Sequence, residues 1–182
     1  MKGKYILGQR AQTRRRSIRY IGIVTLLLVT LSVIQVSFFG RIRIWGAIPD
    51  VMIVAVMGIG FFTGQYTGAV SGIGAGFLID ALGSTGITLL PMCYLFEGYL
   101  VGFYARTTGS KGIFRYGVYL GVTLLYRAAI TVLYACLWYR NLRLPVVLMD
   151  VVLPEAVGTA IVGILLYFPM RALCGCLEKK IS

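Results

Sequence analysis

The chain has 182 residues, of which 58% are hydrophobic and only 13% are charged. Soluble globular domains carry about 25% charged residues, so this composition argues against that class. The apolar content is also too high for intrinsic disorder, and four cysteines are too few for a disulfide scaffold. The class of protein that fits this composition is an integral membrane protein. The net charge of +12 raises nucleic-acid binding as an alternative, which the placement of the basic residues tests.

The chain opens on a basic segment, in which seven of the first nineteen residues are Lys or Arg. An apolar run, Tyr20–Phe39, follows directly and is long enough to cross a bilayer, which takes about 20 residues. It is too long for a signal peptide, and no small-residue cleavage site follows it. We therefore expect a basic tail at residues 1–19 and then a retained first spanning helix.

Five further apolar segments follow in chain order. They are Val51–Thr63, Thr67–Leu82, Thr88–Tyr104, Tyr116–Tyr139 and Val146–Phe168. They predict an all-α integral membrane protein with six transmembrane helices in a membrane domain at 20–172 and a short tail at 173–182. The second and third segments are below the usual spanning length, which leaves two alternatives: both are short tilted helices, or one of them is re-entrant.

The basic residues test this topology independently of hydropathy. With the N-terminus inside, thirteen of the 18 Lys and Arg residues fall on the cytoplasmic side and four in outer loops. Arg127 alone lies inside a span. This positive-inside bias predicts that both termini are cytoplasmic. It also accounts for the charge without a nucleic-acid partner, since no DNA- or RNA-binding motif accompanies the basic residues.

Glycine recurs at every fourth position in the middle of the chain. The series comprises Gly60, Gly64, Gly68, Gly72 and Gly76, and Asp80 continues its register. In a membrane helix, a stripe of small residues lets a second backbone approach closely. We therefore interpret Gly68, Gly72 and Gly76 as a helix-packing interface, within the chain or between chains.

Five of the six acidic residues lie in or at the ends of spans: Asp50, Asp80, Glu97, Asp150 and Glu155. An ionised side chain at a helix centre costs about 2.5 kcal/mol or more, so these carboxyls should be paired, protonated or facing water. Glu97 and Arg127 have similar predicted depth and are the expected ion pair, with Glu155 close to that depth. A structural pair and a proton or substrate path both remain open. Asp50, after Pro49, is expected to be a helix N-cap.

The segment at 48–106 resembles the core of MreD, the bacterial rod-shape-determining membrane protein. The resemblance rests on Pro49-Asp50 opening an apolar run, on the glycine series leading to Asp80, and on Gly98-Tyr99 with Gly102 before a basic loop. It implies a noncatalytic scaffold, multi-pass in the bacterial cytoplasmic membrane, that binds MreC and needs no cofactor or metal. The implied machinery also contains RodA, its partner penicillin-binding transpeptidase, MreB and RodZ.

The family is similar in its six-helix layout to the substrate-binding S components of energy-coupling-factor transporters. On this resemblance, the glycine stripe and Asp80 shape a helix interface or a groove that receives the transmembrane helix of the partner. Membrane lipid is the surrounding medium, and a homo-oligomer is left open.

Two other classes of function remain as alternatives. The chain could be the substrate-binding membrane component of a transporter for a small, vitamin-like molecule. It could also be an intramembrane aspartyl enzyme in which Asp80 and Asp150 share a proton. The absence of histidine excludes serine-histidine proteases and most zinc-hydrolase arrangements.

Overall fold

The computed structural model describes residues 21–39, 48–83, 89–109, 112–138 and 144–179, which are helical almost throughout. The predicted basic tail at 1–19 lies outside the described residues. The helices are α1 (residues 21–34, continued by a π-helical turn at Gln35–Phe39), α2 (Val51–Thr63), α3 (Gln65–Gly83), α4 (Leu90–Thr108), α5 (Ile113–Trp138), α6 (Leu144–Val147) and α7 (Leu153–Lys179). A π-helical stretch, Leu148–Val152, joins α6 to α7.

Over the described residues the all-helical class is confirmed, and three of the described helices are long and apolar enough to cross a membrane. These spans are Ile21–Phe38, Ile113–Leu137 and Pro145–Leu173. Helices α3 and α4 have 19 residues each and are diluted by glycine and polar side chains. The last helix continues to Lys179, so the tail predicted from residue 173 begins inside α7.

Helix α2 is the centre of the molecule. All of its residues except Thr63 are buried, and it packs against α3, α4, α5 and α7. Its 13 residues give a length of about 20 Å, well below the roughly 30 Å of a bilayer core. A helix surrounded by other helices needs neither lipid-spanning length nor an amphipathic face, which explains its uniformly apolar sequence. The N-cap predicted at Asp50 is present, with Oδ1 accepting a hydrogen bond from Ile53 N at 3.1 Å.

A single residue, Gly64, connects α2 to α3. Its φ of +107° is one that residues with a Cβ rarely adopt, and its amide donates to the Gly60 carbonyl at 2.9 Å. The chain can therefore end one helix and start the next without an intervening loop. The two helices lie against each other, close enough that a Cβ at Gly68 would be 2.8 Å from Gly60 Cα.

The glycine stripe of α3 packs against α4 inside the same chain. The backbone contacts are Gly68 on the Gly98 carbonyl, Gly72 on the Tyr94 carbonyl and Gly76 on Pro91. The numbering falls along one helix as it rises along the other, so α3 and α4 are antiparallel. The two glycine motifs of the sequence thus form opposite sides of one interface. Of the two alternatives for the stripe, a helix interface or a groove for a partner helix, the structure shows a helix interface within the chain, because α4 packs on all three glycines.

Candidate functional site

Arg127, near the middle of α5, lies between two carboxylates from other helices. Its Nε donates to Glu155 Oε1 on α7 at 2.8 Å, and its Nη2 lies 3.5 Å from Asp50 Oδ2 at the start of α2. The side chains of Arg127, Asp50 and Glu155 are 24%, 6% and 12% exposed, respectively. These three side chains, the ion cluster, are therefore largely buried. Buried charge pairs are screened by salt much less than pairs at the surface.

Asp50 has hydrogen-bond partners beyond Arg127. The hydroxyl of Tyr94 on α4 donates to Asp50 Oδ2 at 2.7 Å, and the Asp50 amide donates to Thr159 Oγ1 on α7 at 3.0 Å. Both carboxylate oxygens are thus satisfied, one of them by the α2 backbone. Neither oxygen of this buried carboxylate is therefore left without a donor, which avoids the cost of an unpaired polar group in the interior.

Gln35 completes the site from α1. Its Nε2 donates to the Pro49 carbonyl at 2.9 Å, and its Oε1 accepts from Val51 N at 2.8 Å. One amide side chain therefore satisfies two backbone groups at the start of α2. Together, the ion cluster and its hydrogen bonds join α1, α2, α4, α5 and α7 at a single point.

The structure differs from the predicted pairing of Glu97 with Arg127. Glu97 is 3% exposed, and neither carboxyl oxygen has a hydrogen-bond partner among the described residues. Asp50 takes the expected place of Glu97 beside the guanidinium. The predicted pairing used only the depth of each residue along its helix. The rotation of α4 about its axis also decides which of its side chains reach the ion cluster. In the structure that rotation brings Tyr94, and not Glu97, to Asp50.

The other predicted site residues lie apart from the ion cluster. Tyr99 is 38% exposed on the outside of α4, where its ring stacks on Phe103. Asp80 is half-buried near the end of α3, and Asp150 is exposed in the π-helical stretch before α7. Gly102 packs against the backbone at Gln65, as part of the α3–α4 interface.

Sequence reasoning missed Gln35, Tyr94 and Thr159 as members of the site. Gln35 did carry a signal, since it is the only amide side chain in the apolar run Tyr20–Phe39. It begins the π-helical turn that ends α1, and such turns often occur where a helix positions a functional side chain. Tyrosine and threonine are ordinary in membrane helices, so Tyr94 and Thr159 gave no comparable signal.

A cavity of about 460 Å³ lies beside the ion cluster, within the usual size range of ligand pockets. Asp50, Tyr94 and Arg127 contribute polar groups to it. Side chains such as Ile79, Ile130 and Leu133 contribute apolar walls. Among the described residues, no group of three or more His, Cys, Asp or Glu side chains could hold a metal ion.

Replacing Tyr94 with phenylalanine should destabilise the protein by about 1.5–3 kcal/mol, the usual value of a hydrogen bond to a charged group. The variant removes the 2.7 Å bond to Asp50 and keeps the buried ring. Thermal unfolding in detergent measures the loss. Tyr99→Phe is the matched control on the same helix, and equal stability of the two variants would contradict the role given to the Tyr94 hydroxyl.

In comparisons with known proteins, no family model, curated protein or solved structure matches this chain.

Proposed function

We propose that this protein is a noncatalytic, MreD-like membrane scaffold that binds MreC and helps to control peptidoglycan synthesis and cell shape. The observation that carries the proposal is where the residues of the resemblance lie. Pro49 and Asp50 anchor the start of the central helix, and the glycines of α3 and α4 face each other across one close interface. The shared pattern thus describes a way of packing helices, which is what a scaffold requires.

The proposal places the chain in the bacterial cytoplasmic membrane with six spans and both termini inside. Three helices long and apolar enough to span a membrane support the membrane location. Packing supports the six-span layout, because α3 runs antiparallel to α4, and α5 runs antiparallel to α7. Helix α2 would cross at the centre, covered by protein instead of lipid.

The proposed partners follow from the same resemblance. MreC is the direct partner, and RodA, its penicillin-binding transpeptidase, MreB and RodZ belong to the same assembly. Because α4 fills the glycine stripe, the transmembrane helix of MreC is expected on the outer surface of the bundle. The aromatic outer face of α4 around Tyr99 and Phe103 is available for such contacts.

Depletion of the protein in its rod-shaped host, combined with affinity purification, tests this function. We expect the cells to become round and MreC to be recovered with the tagged protein. Complementation by Gly74→Ala, at a position where an added Cβ meets nothing within 4 Å, is the control for a tolerated change in α3. Rod-shaped cells after depletion, with no MreC in the purified material, would contradict the proposal.

Transport is the second candidate, and the cavity beside the ion cluster is the observation that favours it. A volume of about 460 Å³ suits a vitamin-sized molecule, and Arg127 and Asp50 would provide polar contacts. In that case the depleted cells would keep their shape. An energising ATPase module and a specific small molecule would be recovered with the protein in place of MreC.

A further inference from the structure

A groove runs along the outside of the bundle between α4 and α5. These two helices both pack on α2 but touch each other at few points, so a gap of about 400 Å³ is left between them. The gap lies in the half of the bundle that contains the loop between α4 and α5, away from the ion cluster. In the proposed orientation this is the cytoplasmic half.

The groove is apolar along its length and polar at its end. Its walls include Leu100 and Val101 of α4 and Val118 and Val122 of α5. From Val122 to Arg115 the groove follows α5 for about 10 Å, at 1.5 Å per residue. A slot of this kind fits a hydrocarbon chain.

The polar end of the groove combines a cation with hydroxyl groups. Arg115, in the first turn of α5, donates from Nη1 to the Thr108 carbonyl at the end of α4. The Thr108 hydroxyl lies 3.3 Å from the Tyr119 hydroxyl. A guanidinium has five N–H donors, so Arg115 keeps further donors for an anion after this one bond.

Charge at this end of the bundle is entirely positive among the described side chains. Arg106, Arg115 and Arg171 lie here, near the end of α4, the start of α5 and the last turns of α7. The described acidic side chains lie at the middle or at the opposite end: Asp50, Asp80, Glu97, Asp150 and Glu155. No described carboxylate therefore competes with an anion for Arg115.

We propose that the groove between α4 and α5 binds an anionic phospholipid of the cytoplasmic leaflet. Arg115 holds the headgroup phosphate, and an acyl chain lies along the valine and leucine walls. The apolar walls match the acyl chain of a phospholipid, and the cation at the end of the groove matches its phosphate. Basic sites between helices on the cytoplasmic side of a membrane bind anionic lipid headgroups. The proposal rests on the proposed orientation of the chain, not on its partners.

Fluorescence quenching by brominated lipids tests the site in the full-length protein. Tyr104→Trp places a reporter in the groove wall in place of an aromatic ring, and Trp45→Phe and Trp138→Phe remove the two native tryptophans. In phosphatidylcholine vesicles, we expect dibrominated phosphatidylglycerol to associate roughly fivefold more strongly than dibrominated phosphatidylcholine, the size expected for one cation near a membrane surface. Inorganic phosphate at equal ionic strength should not change this ratio.

Matched arginine variants then assign the preference. Arg115→Gln should bring the ratio close to one and Arg115→Lys should keep most of it. Arg106→Gln, at an exposed arginine outside the groove, should leave it unchanged. Val122→Phe fills the groove at constant charge and should also reduce the ratio, which keeps the test valid if Arg115→Gln does not fold.

Four results would overturn the proposal. They are equal quenching by both lipids in the reporter protein, an unchanged ratio in a folded Arg115→Gln variant, an unchanged ratio in Val122→Phe, and competition by inorganic phosphate. None of these results depends on recovery of MreC, so the lipid site and the scaffold function can fail separately.

Discussion

Replacing Gly72 with alanine is expected to destabilise the protein by about 3 kcal/mol, at the upper end of the usual cost of inserting one methyl group into a packed core. The added Cβ would collide with the carbonyl group of Tyr94, and a backbone cannot rotate away as the end of a side chain can. Helices α3 and α4 must separate to make room. The same movement displaces Tyr94, whose hydroxyl holds Asp50 in the ion cluster. Thermal unfolding of the purified protein in detergent measures the effect.

Gly74→Ala is the matched control two residues further along α3. A Cβ there meets nothing within 4 Å, and alanine is favoured over glycine inside a helix by about 0.5–1 kcal/mol. The two identical substitutions should therefore change stability in opposite directions. Equal unfolding temperatures would mean that α3 and α4 do not approach as closely as the structure shows.

This contrast also affects how partner binding is measured. A Gly72 variant that fails to bind MreC, the proposed partner, has first lost its own helix packing, so that failure says nothing about the proposed docking surface. Substitutions on the outer face of α4 are more informative, because Phe103 and Tyr99 are exposed and stack on each other. We therefore expect substitutions in the glycine stripe to reduce stability, and substitutions on the outer face of α4 to reduce binding of the proposed partner without reducing stability.

The all-helical class could be predicted from the sequence, although three of the described helices, and not six, are long and apolar enough to span a membrane. The limits of α2 match the predicted segment Val51–Thr63, because Asp50 caps its start and Gly64 ends it with a backbone conformation that favours glycine. The α3 stripe was also visible as a regular spacing. The helix that packs on this stripe, α4, could not be predicted, because a row of glycines allows any helix to approach closely and does not specify which one.

The composition of the ion cluster was harder to predict. The N-cap of a full-length span lies at the membrane surface, far from a residue in the middle of another span such as Arg127. Helix α2 is short and begins deep in the bundle, which brings Asp50 within 3.5 Å of the guanidinium. A helix that is covered by protein does not need to match the thickness of the bilayer, so its length can vary. Hydropathy alone does not show whether a helix is covered by protein or by lipid.

Replacing Arg127 with glutamine is expected to destabilise the protein by about 3–5 kcal/mol, the usual effect of removing one partner from a buried ion pair. Two carboxylates, Asp50 and Glu155, would then face each other without the guanidinium that lies between them. Asp50 would keep its bonds to Tyr94 and to the α2 backbone, whereas Glu155 would lose the 2.8 Å bond to Arg127 Nε. The variant is compared with Arg106→Gln, an exposed arginine whose loss should cost little.

The double variant Arg127→Gln/Glu155→Gln separates the cost of an unpaired charge from the value of the pair. It removes the carboxylate that depends most on Arg127, so it should be more stable than Arg127→Gln alone. Glu155→Gln by itself should be the mildest of the three, since Arg127 and Asp50 then remain as a balanced pair. If the two single costs simply add in the double variant, Arg127 and Glu155 are not coupled, and the ion cluster does not hold α5 against α7 as the 2.8 Å contact indicates.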